Sequence, residues 1–250
     1  MKTLAIDTSS KNASIAILDE KNVLIELNNN DEKTHSQKLM PMIDEAFKKL
    51  NLSLDDIGLI SCSLGPGSFT GVRIGIATAK AFADSRNILV AGVSSLEALA
   101  YNLNQTGTIC SLIDANNGNL YAGIFELTKN NEYFITVKSK LQFLSLKDSN
   151  GNISSKALLE FIKSNTDANC VSFVGDGAIA YKDLIENLSL PLNRNMLVAE
   201  KKYGIASGIS IAKIGYTKYK NGEYGDSSIL LPIYLRKSQA ELALEEKLQS

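Results

Sequence analysis

Two short stretches end an apolar run in a carboxylate and follow it with turn formers: LAIDTSS at residues 4–10 and SLIDANNG at 111–118. A carboxylate so placed can face a magnesium ion while neighbouring hydroxyls and turn amides hold phosphates, which makes Asp7, Thr8, Ser9 and Asp114 candidates for nucleotide binding. The same residue types also end strands by bonding their own turn amides, and both readings stay open. Gly175-Asp176-Gly177-Ala178 follows the apolar run CVSFV and reads either as a plain strand-to-helix turn or as a glycine approach to an adenine ring.

SLGPGSFTGVRIGIATAKAFA, residues 63–83, has the look of a phosphate loop. Its glycines exclude that reading. Gly65, Gly67 and Gly71 make G-x-G-x-x-x-G, one residue longer than the dinucleotide fingerprint, and Lys80 is too far along to close a P-loop. Gly65-Pro66-Gly67 therefore reads as a structural turn that launches a helix. In that helix Gly71, Gly75 and Ala79 recur every fourth residue, which lets a neighbour approach closely. The neighbour is the preceding helix of the same chain or a helix of another chain.

That preceding helix, with Leu39, Met40, Met42, Ile43, Ala46, Phe47 and Leu50, carries more apolar surface than the stripe one core would cover. Two methionines in it suit an adaptable contact. Leu39, Met40, Met42, Ile43, Phe47, Gly71, Gly75 and Ala79 are thus the expected partner interface, the other reading being a first helix that is covered within its own fold. His35 is the only histidine, so no zinc site and no nucleophile-base-acid triad can be assembled. Cys62, Cys110 and Cys170 lie in separate apolar runs without metal-ligand or redox-pair spacing and read as buried thiols. No catalytic residue and no metal ligand is assigned.

These residues need elements to carry them. Apolar runs predict strands at 2–7, 13–18 and 22–27, an antiparallel meander. The Thr34 to Gln37 capping-box spacing opens a helix to about Leu50, with a kink or a shifted start expected at Pro41. A strand at 57–62, a helix to about Asp84, a strand at 88–93 and a helix from Ser95 to Leu103 follow. The pattern then begins again: LAIDTSSKNASIAI at 4–17 is echoed by SLIDANNGNLYAGI at 111–124. Strands at 132–137 and 170–174 and helices near 155–164 and 204–219 continue it, with 147–155 as the most loop-like segment. The fold class is α/β: two ribonuclease-H-like lobes as in the actin-like superfold, which also contains sugar kinases and heat-shock ATPases. The expected division is 1–104, joined by the helix near 204–219, and 105–250, a smaller lobe with a charged tail.

Lys and Arg total 26 against 27 for Asp and Glu, so no global basic field draws nucleic acid, and only a local patch could. No apolar run approaches about 18 residues, so a soluble cytoplasmic protein with no membrane partner is expected.

LAIDTSS, HSQKLMPMI, SLGPGSFTGVRIGIATAKAFA, GVSSLEALA, LIDANNGNLYAGIF, GDGA and PIYLR, in this order and spacing over residues 2–236, resemble the bacterial TsaB family of tRNA threonylcarbamoyladenosine biosynthesis proteins, once labelled glycoprotease-like. GPGSFTGVRIG is specific to it. The resemblance implies an actin-like fold with a reduced second lobe. It also implies a scaffold role beside a catalytic paralogue, TsaD, which modifies the adenosine next to the anticodon of tRNAs reading ANN codons. The small ATPase TsaE joins the pair, and tRNA is reached through the complex. No cofactor is expected to bind the chain tightly alone, whereas ATP or ADP can lie at the interface of the complex. The first two helices form the partner surface, and a homodimer through it is expected when the chain is alone. TsaD holds its metal through a His-x-x-x-His pair, where this chain has Ser95 and Leu99, so no intrinsic activity is expected. The rival expectation is an actin-like ATPase or phosphotransferase using Asp7 and Asp114.

Overall fold

The computed structural model describes residues 1–29, 35–129 and 134–236. Thr34, the expected cap, and the tail KSQAELALEEKLQS lie outside the described residues.

The first sheet grows from the apolar runs nearest the start of the chain. β1 (Lys2–Asp7), β2 (Ala13–Asp19) and β3 (Asn22–Asn29) form the antiparallel meander, with Ile6 opposite Ile15 and Asp7 opposite Ser14. β4 (Ile57–Ser63) lies parallel to β1 on its other side, and β5 (Leu89–Val93) parallel to β4, giving the order β3-β2-β1-β4-β5. β1 and β2 are buried on both faces because helices cover both. Leu4, Ile6, Ile15 and Ile17 point towards α1 (His35–Leu50) and α2 (Phe69–Arg86), while Ala5, Ala16 and Leu18 point into the core shared with the second lobe. α1 runs through Pro41 without a break; the ring sits on the exposed side, where water can serve the backbone carbonyl it leaves unbonded.

The second sheet repeats the first. β6 (Gly107–Asp114), β7 (Asn119–Lys129) and β8 (Phe134–Ser145) form a meander, and β9 (Cys170–Val174) and β10 (Asn195–Val198) add in parallel, giving β8-β7-β6-β9-β10. The strand expected at 132–137 runs instead to Ser145: β8 is an edge strand, and its exposed lysines Lys138 and Lys140 hide it from an apolar-run reading. The lobe is reduced in its helices. α4 (Lys156–Asn165) is of ordinary length, but α5 (Asp176–Ala180), α6 (Lys182–Glu186) and α7 (Ser189–Leu192) have only five, five and four residues. Cys62 and Cys110 are buried, and burial pushes both thiols up, whereas Cys170 begins β9 exposed, a correction to the reading of three buried thiols.

Each lobe ends in a helix that packs on the joint. α3 (Ser95–Asn102) leaves β5 and lies against β6 and β7, while α8 (Gly208–Lys220) follows the second lobe and lies across the first sheet. Gly215 permits the second contact, since a Cβ there would stand 2.1 Å from Ser61 Oγ and 2.5 Å from Ser61 Cβ. The Ser61 hydroxyl donates to the Ile211 carbonyl at 2.7 Å, fixing the helix over β4.

A polar knot ties these pieces together. Glu97 on α3, only 8% exposed, accepts from Thr136 Oγ1 on β8 at 2.8 Å and pairs with Lys218 Nζ on α8 at 3.3 Å. Lys218 also donates to the Gly92 carbonyl of β5 at 2.9 Å. A largely buried carboxylate that loses its cation keeps its desolvation penalty. Lys218→Met should therefore cost about 3 kcal/mol in urea unfolding. Adding Glu97→Gln to that variant should restore most of the loss.

Candidate functional site

At the end of β1 the candidate nucleotide residues face inward. Asp7 is fully buried, and its Oδ1 accepts from the Ser9 amide at 2.8 Å. The Thr8 hydroxyl donates to the Gly71 carbonyl at 2.7 Å. The Ser9 carbonyl accepts from the Ser68 amide at 2.6 Å. Gly65, with φ +87°, and Pro66, after a cis peptide bond, turn the chain from β4 towards α2. The turn drives Gly67 onto the first hairpin, where a Cβ would stand 2.1 Å from the Ser9 carbonyl oxygen. Ser68 caps α2 by accepting from the Gly71 amide at 3.2 Å. Two of the donors that a phosphate would need here, the Ser9 amide and the Thr8 hydroxyl, are thus bonded within the chain.

The end of β6 repeats the device. The Asp114 Oδ1 accepts from the Asn116 amide at 2.8 Å, as Asp7 does from Ser9. Gly175, at φ +110°, carries the chain so close to β6 that a Cβ would stand 2.1 Å from the Leu112 carbonyl oxygen. GDGA is therefore a packing turn that opens the five-residue α5. Asp176 bridges it to β6, its Oδ1 accepting from the amides of Asp114 at 3.0 Å and Gly177 at 2.8 Å. Burial holds the Asp176 carboxyl above its ordinary range against those two amides, with the Asp114 carboxylate adding to the rise. Both lobes thus place a G-x-G after their fourth strand to seal the end of their first, a correspondence that aligning Gly65-Pro66-Gly67 with Gly175-Asp176-Gly177 would have revealed.

The structure brings Asp114 and Asp176 together and leaves Asp7 enclosed. Among the described residues no group of three His, Cys, Asp or Glu side chains could hold a metal ion. Ser95 is buried and shares a hydrogen bond with Ser63 at 2.8 Å, and Leu99 packs into the core between the lobes. Those two positions do structural work.

The expected interface residues divide. Leu39, Met42, Gly71, Gly75 and Ala79 are buried in the chain's own core, a correction to their assignment to a partner surface. The small-residue ladder serves a neighbour within the chain: a Cβ on Gly75 would meet Thr8 Oγ1 at 2.4 Å and Ile6 Cγ2 at 3.6 Å, so α2 lies directly on β1. Met40, 48% exposed, and Phe47, half-buried, remain at the surface. With Ile43 at its floor they line a groove of about 500 Å³ closed by Leu52, Leu54 and Phe82. Leu52, Leu54 and Phe82 escape a sequence reading because they join α1 only through tertiary packing. A second cavity of about 470 Å³ lies at the joint of the lobes beside Tyr101, Asn102, Tyr203 and Lys213, and neither Asp7 nor Asp114 lines it. Burial pushes the Tyr101 phenol up to about 12, opposed by its hydrogen bond to Thr136.

Residues 23–244 match the family described as TsaD, tRNA N6-adenosine threonylcarbamoyltransferase. The chain is 31% identical over 242 residues to the tRNA threonylcarbamoyladenosine biosynthesis protein TsaB of Bacillus subtilis strain 168, covering 96% of each. The chain belongs to the TsaB family. The TsaB of Escherichia coli K12 is 33% identical over 135 residues, 52% of this chain and 57% of that relative. YeaZ from Pseudomonas aeruginosa superposes with a TM-score of 0.70 at 21% identity, over 94% of this chain and all of that one. A ROK hexokinase from Thermus thermophilus shares the fold with a TM-score of 0.53 at 11% identity, over 89% of this chain and all of that one. The duplicated actin-like lobes are thus common to this TsaB-family chain and to a sugar kinase. Among the described residues no helix is long and apolar enough to cross a membrane.

The Ser9 seal depends on a residue without a Cβ. Gly67→Ala should lower stability by about 2 kcal/mol or more, because the new methyl meets backbone that cannot rotate away. Urea unfolding checks this, and wild-type stability would show that the turn is not tightly packed.

Proposed function

We propose that the chain works in tRNA threonylcarbamoyladenosine biosynthesis as a non-catalytic subunit that binds and activates the catalytic paralogue TsaD. The groove between α1 and α2 is the docking surface. The reading is carried by that groove: Met40, Phe47, Leu52, Leu54 and Phe82 line an apolar cleft on a molecule whose candidate phosphate turn is bonded to itself. The filling of the Ser95 and Leu99 positions by a hydroxyl pair and a core leucine supports a subunit without its own metal chemistry.

In this reading TsaE joins the complex, tRNA is the substrate of the assembly in the cytoplasm, and any ATP or ADP is shared at the interface with the paralogue. Alone and concentrated, the chain pairs with a second copy through the same groove. The ATPase reading has weaker support, since Asp7 is enclosed and Thr8 and Ser9 are bonded to α2 and its turn.

Met40 tests the interface without disturbing the core because half of it already faces water. Met40→Glu should weaken assembly with the paralogue at least about tenfold, read by co-purification and calorimetry, with an unchanged melting temperature. Full-strength assembly of this variant would show that the groove is not the docking surface.

A further inference from the structure

The chain has four arginines, and they divide by environment. Arg86 pairs with Asp55 and Arg194 with Asp167. Arg73 and Arg236 have no carboxylate partner among the described residues; they lie on aromatic rings instead. Arg73 Cζ is 3.7 Å from the ring centroid of Phe69, and its Nε donates to the Tyr234 hydroxyl at 2.8 Å. Phe69 and Tyr234 are themselves 5.2 Å apart, tilted by 32°, and are 45% and 49% exposed. Arg236 Cζ is 5.3 Å from the ring of Phe143 on β8, and Phe143 stands 5.8 Å from Tyr121 on β7.

These contacts form a strip across the two lobes. Phe69 and Arg73 belong to the first turns of α2, Tyr121 and Phe143 to the second sheet, and the segment bearing Tyr234 and Arg236 joins them. The Ile233 amide holds that segment by donating to the Leu64 carbonyl at 2.8 Å. Arg73 stands nine positions before Phe82 on α2, roughly 13 Å along the axis, so the strip is separate from the far end of the docking groove.

A guanidinium stacked on a ring is weakly hydrated and keeps its outer N–H groups for bidentate contact with a phosphate. Exposed rings beside it offer faces on which unpaired bases stack. Two guanidiniums without a carboxylate partner among the described residues, interleaved with tilted aromatic rings on a molecule of net charge −1, make a local rather than a global attraction for a nucleic acid strand. We infer that the Phe69–Arg73–Tyr234–Arg236–Phe143 strip contacts single-stranded RNA of the tRNA substrate directly. The inference rests on the proposed role of the chain in a tRNA-modifying complex, and it assigns to this subunit a share in holding the RNA.

The test is titration of an unmodified transcript of an ANN-reading tRNA into the assembled complex of this chain with its paralogue, at several salt concentrations. Arg73→Gln with Arg236→Gln should weaken binding about tenfold and reduce the salt slope by about 1.4, or about 0.7 for each phosphate that is no longer neutralised, with assembly unchanged. Should Arg73→Gln lower the melting temperature, Arg236→Gln alone should still reduce the slope by about 0.7. Unchanged RNA affinity and slope in an intact complex would overturn the inference. Loss of assembly in the double variant would also overturn it, by making the strip a protein contact. Failure of the wild-type chain to assemble would fail the proposed function and this inference together.

Discussion

The contact of the Gly65–Ser68 turn with the carbonyl of Ser9 sets much of what this molecule can and cannot do. The Ser68 amide donates to that carbonyl at 2.6 Å, and the missing Cβ of Gly67 allows the approach. From this point α2 starts, capped by Ser68 and drawn down by the Thr8 hydroxyl on Gly71, and Gly75 lets it lie against β1. A helix seated so close leaves Asp7 under cover. In an actin-like fold the end of the first strand is a natural place for nucleotide phosphates; here the Thr8 hydroxyl and the Ser9 amide at that end bond within the chain.

The second lobe repeats the constraint, with Gly175 against Leu112 and Asp176 bonding the Asp114 amide. The lobes are also knitted together: α3 lies on the second sheet, α8 on the first, and the Glu97–Lys218 pair joins both helices to β5 and β8. A nucleotide-driven machine of this class needs lobes that move about a hinge. Across this joint run polar contacts, among them those of the largely buried Glu97 carboxylate with Lys218 and Thr136. The groove lined by Met40 and Phe82 and the arginine–aromatic strip, the two contact surfaces proposed above, meet α2 at different places.

Much of the fold was legible because its central strands are nearly unbroken apolar runs, and because the two Asp-terminated strands echo each other in sequence. β8 beyond residue 137 was not legible, since the exposed Lys138-Ser139-Lys140 interrupts the apolar run before Leu141, Phe143 and Leu144 resume it along an edge. α5 to α7 are too short to show a helical period. The Gly71–Gly75–Ala79 ladder announced close packing but not its neighbour: Thr8, 63 positions before Gly71, is reached only once β1 and β4 pair. For the same reason the apolar excess on α1 is visible in the sequence but its destination is not. Leu39 and Met42 complete the core, and the edge of that face, at Met40, Ile43 and Phe47, borders the groove.

Reconstituted threonylcarbamoyl transfer to an unmodified ANN-reading tRNA, with the paralogue and the small ATPase present, bears most directly on the central claim. The chain would be withheld, supplied as wild type, or supplied as Asp114→Asn, which alters the one candidate carboxylate that is partly exposed. A structural subunit predicts that product forms only when the chain is present and that Asp114→Asn supports it as well as wild type. Product from the chain alone, or loss of product with an Asp114→Asn chain that still assembles, would contradict the account.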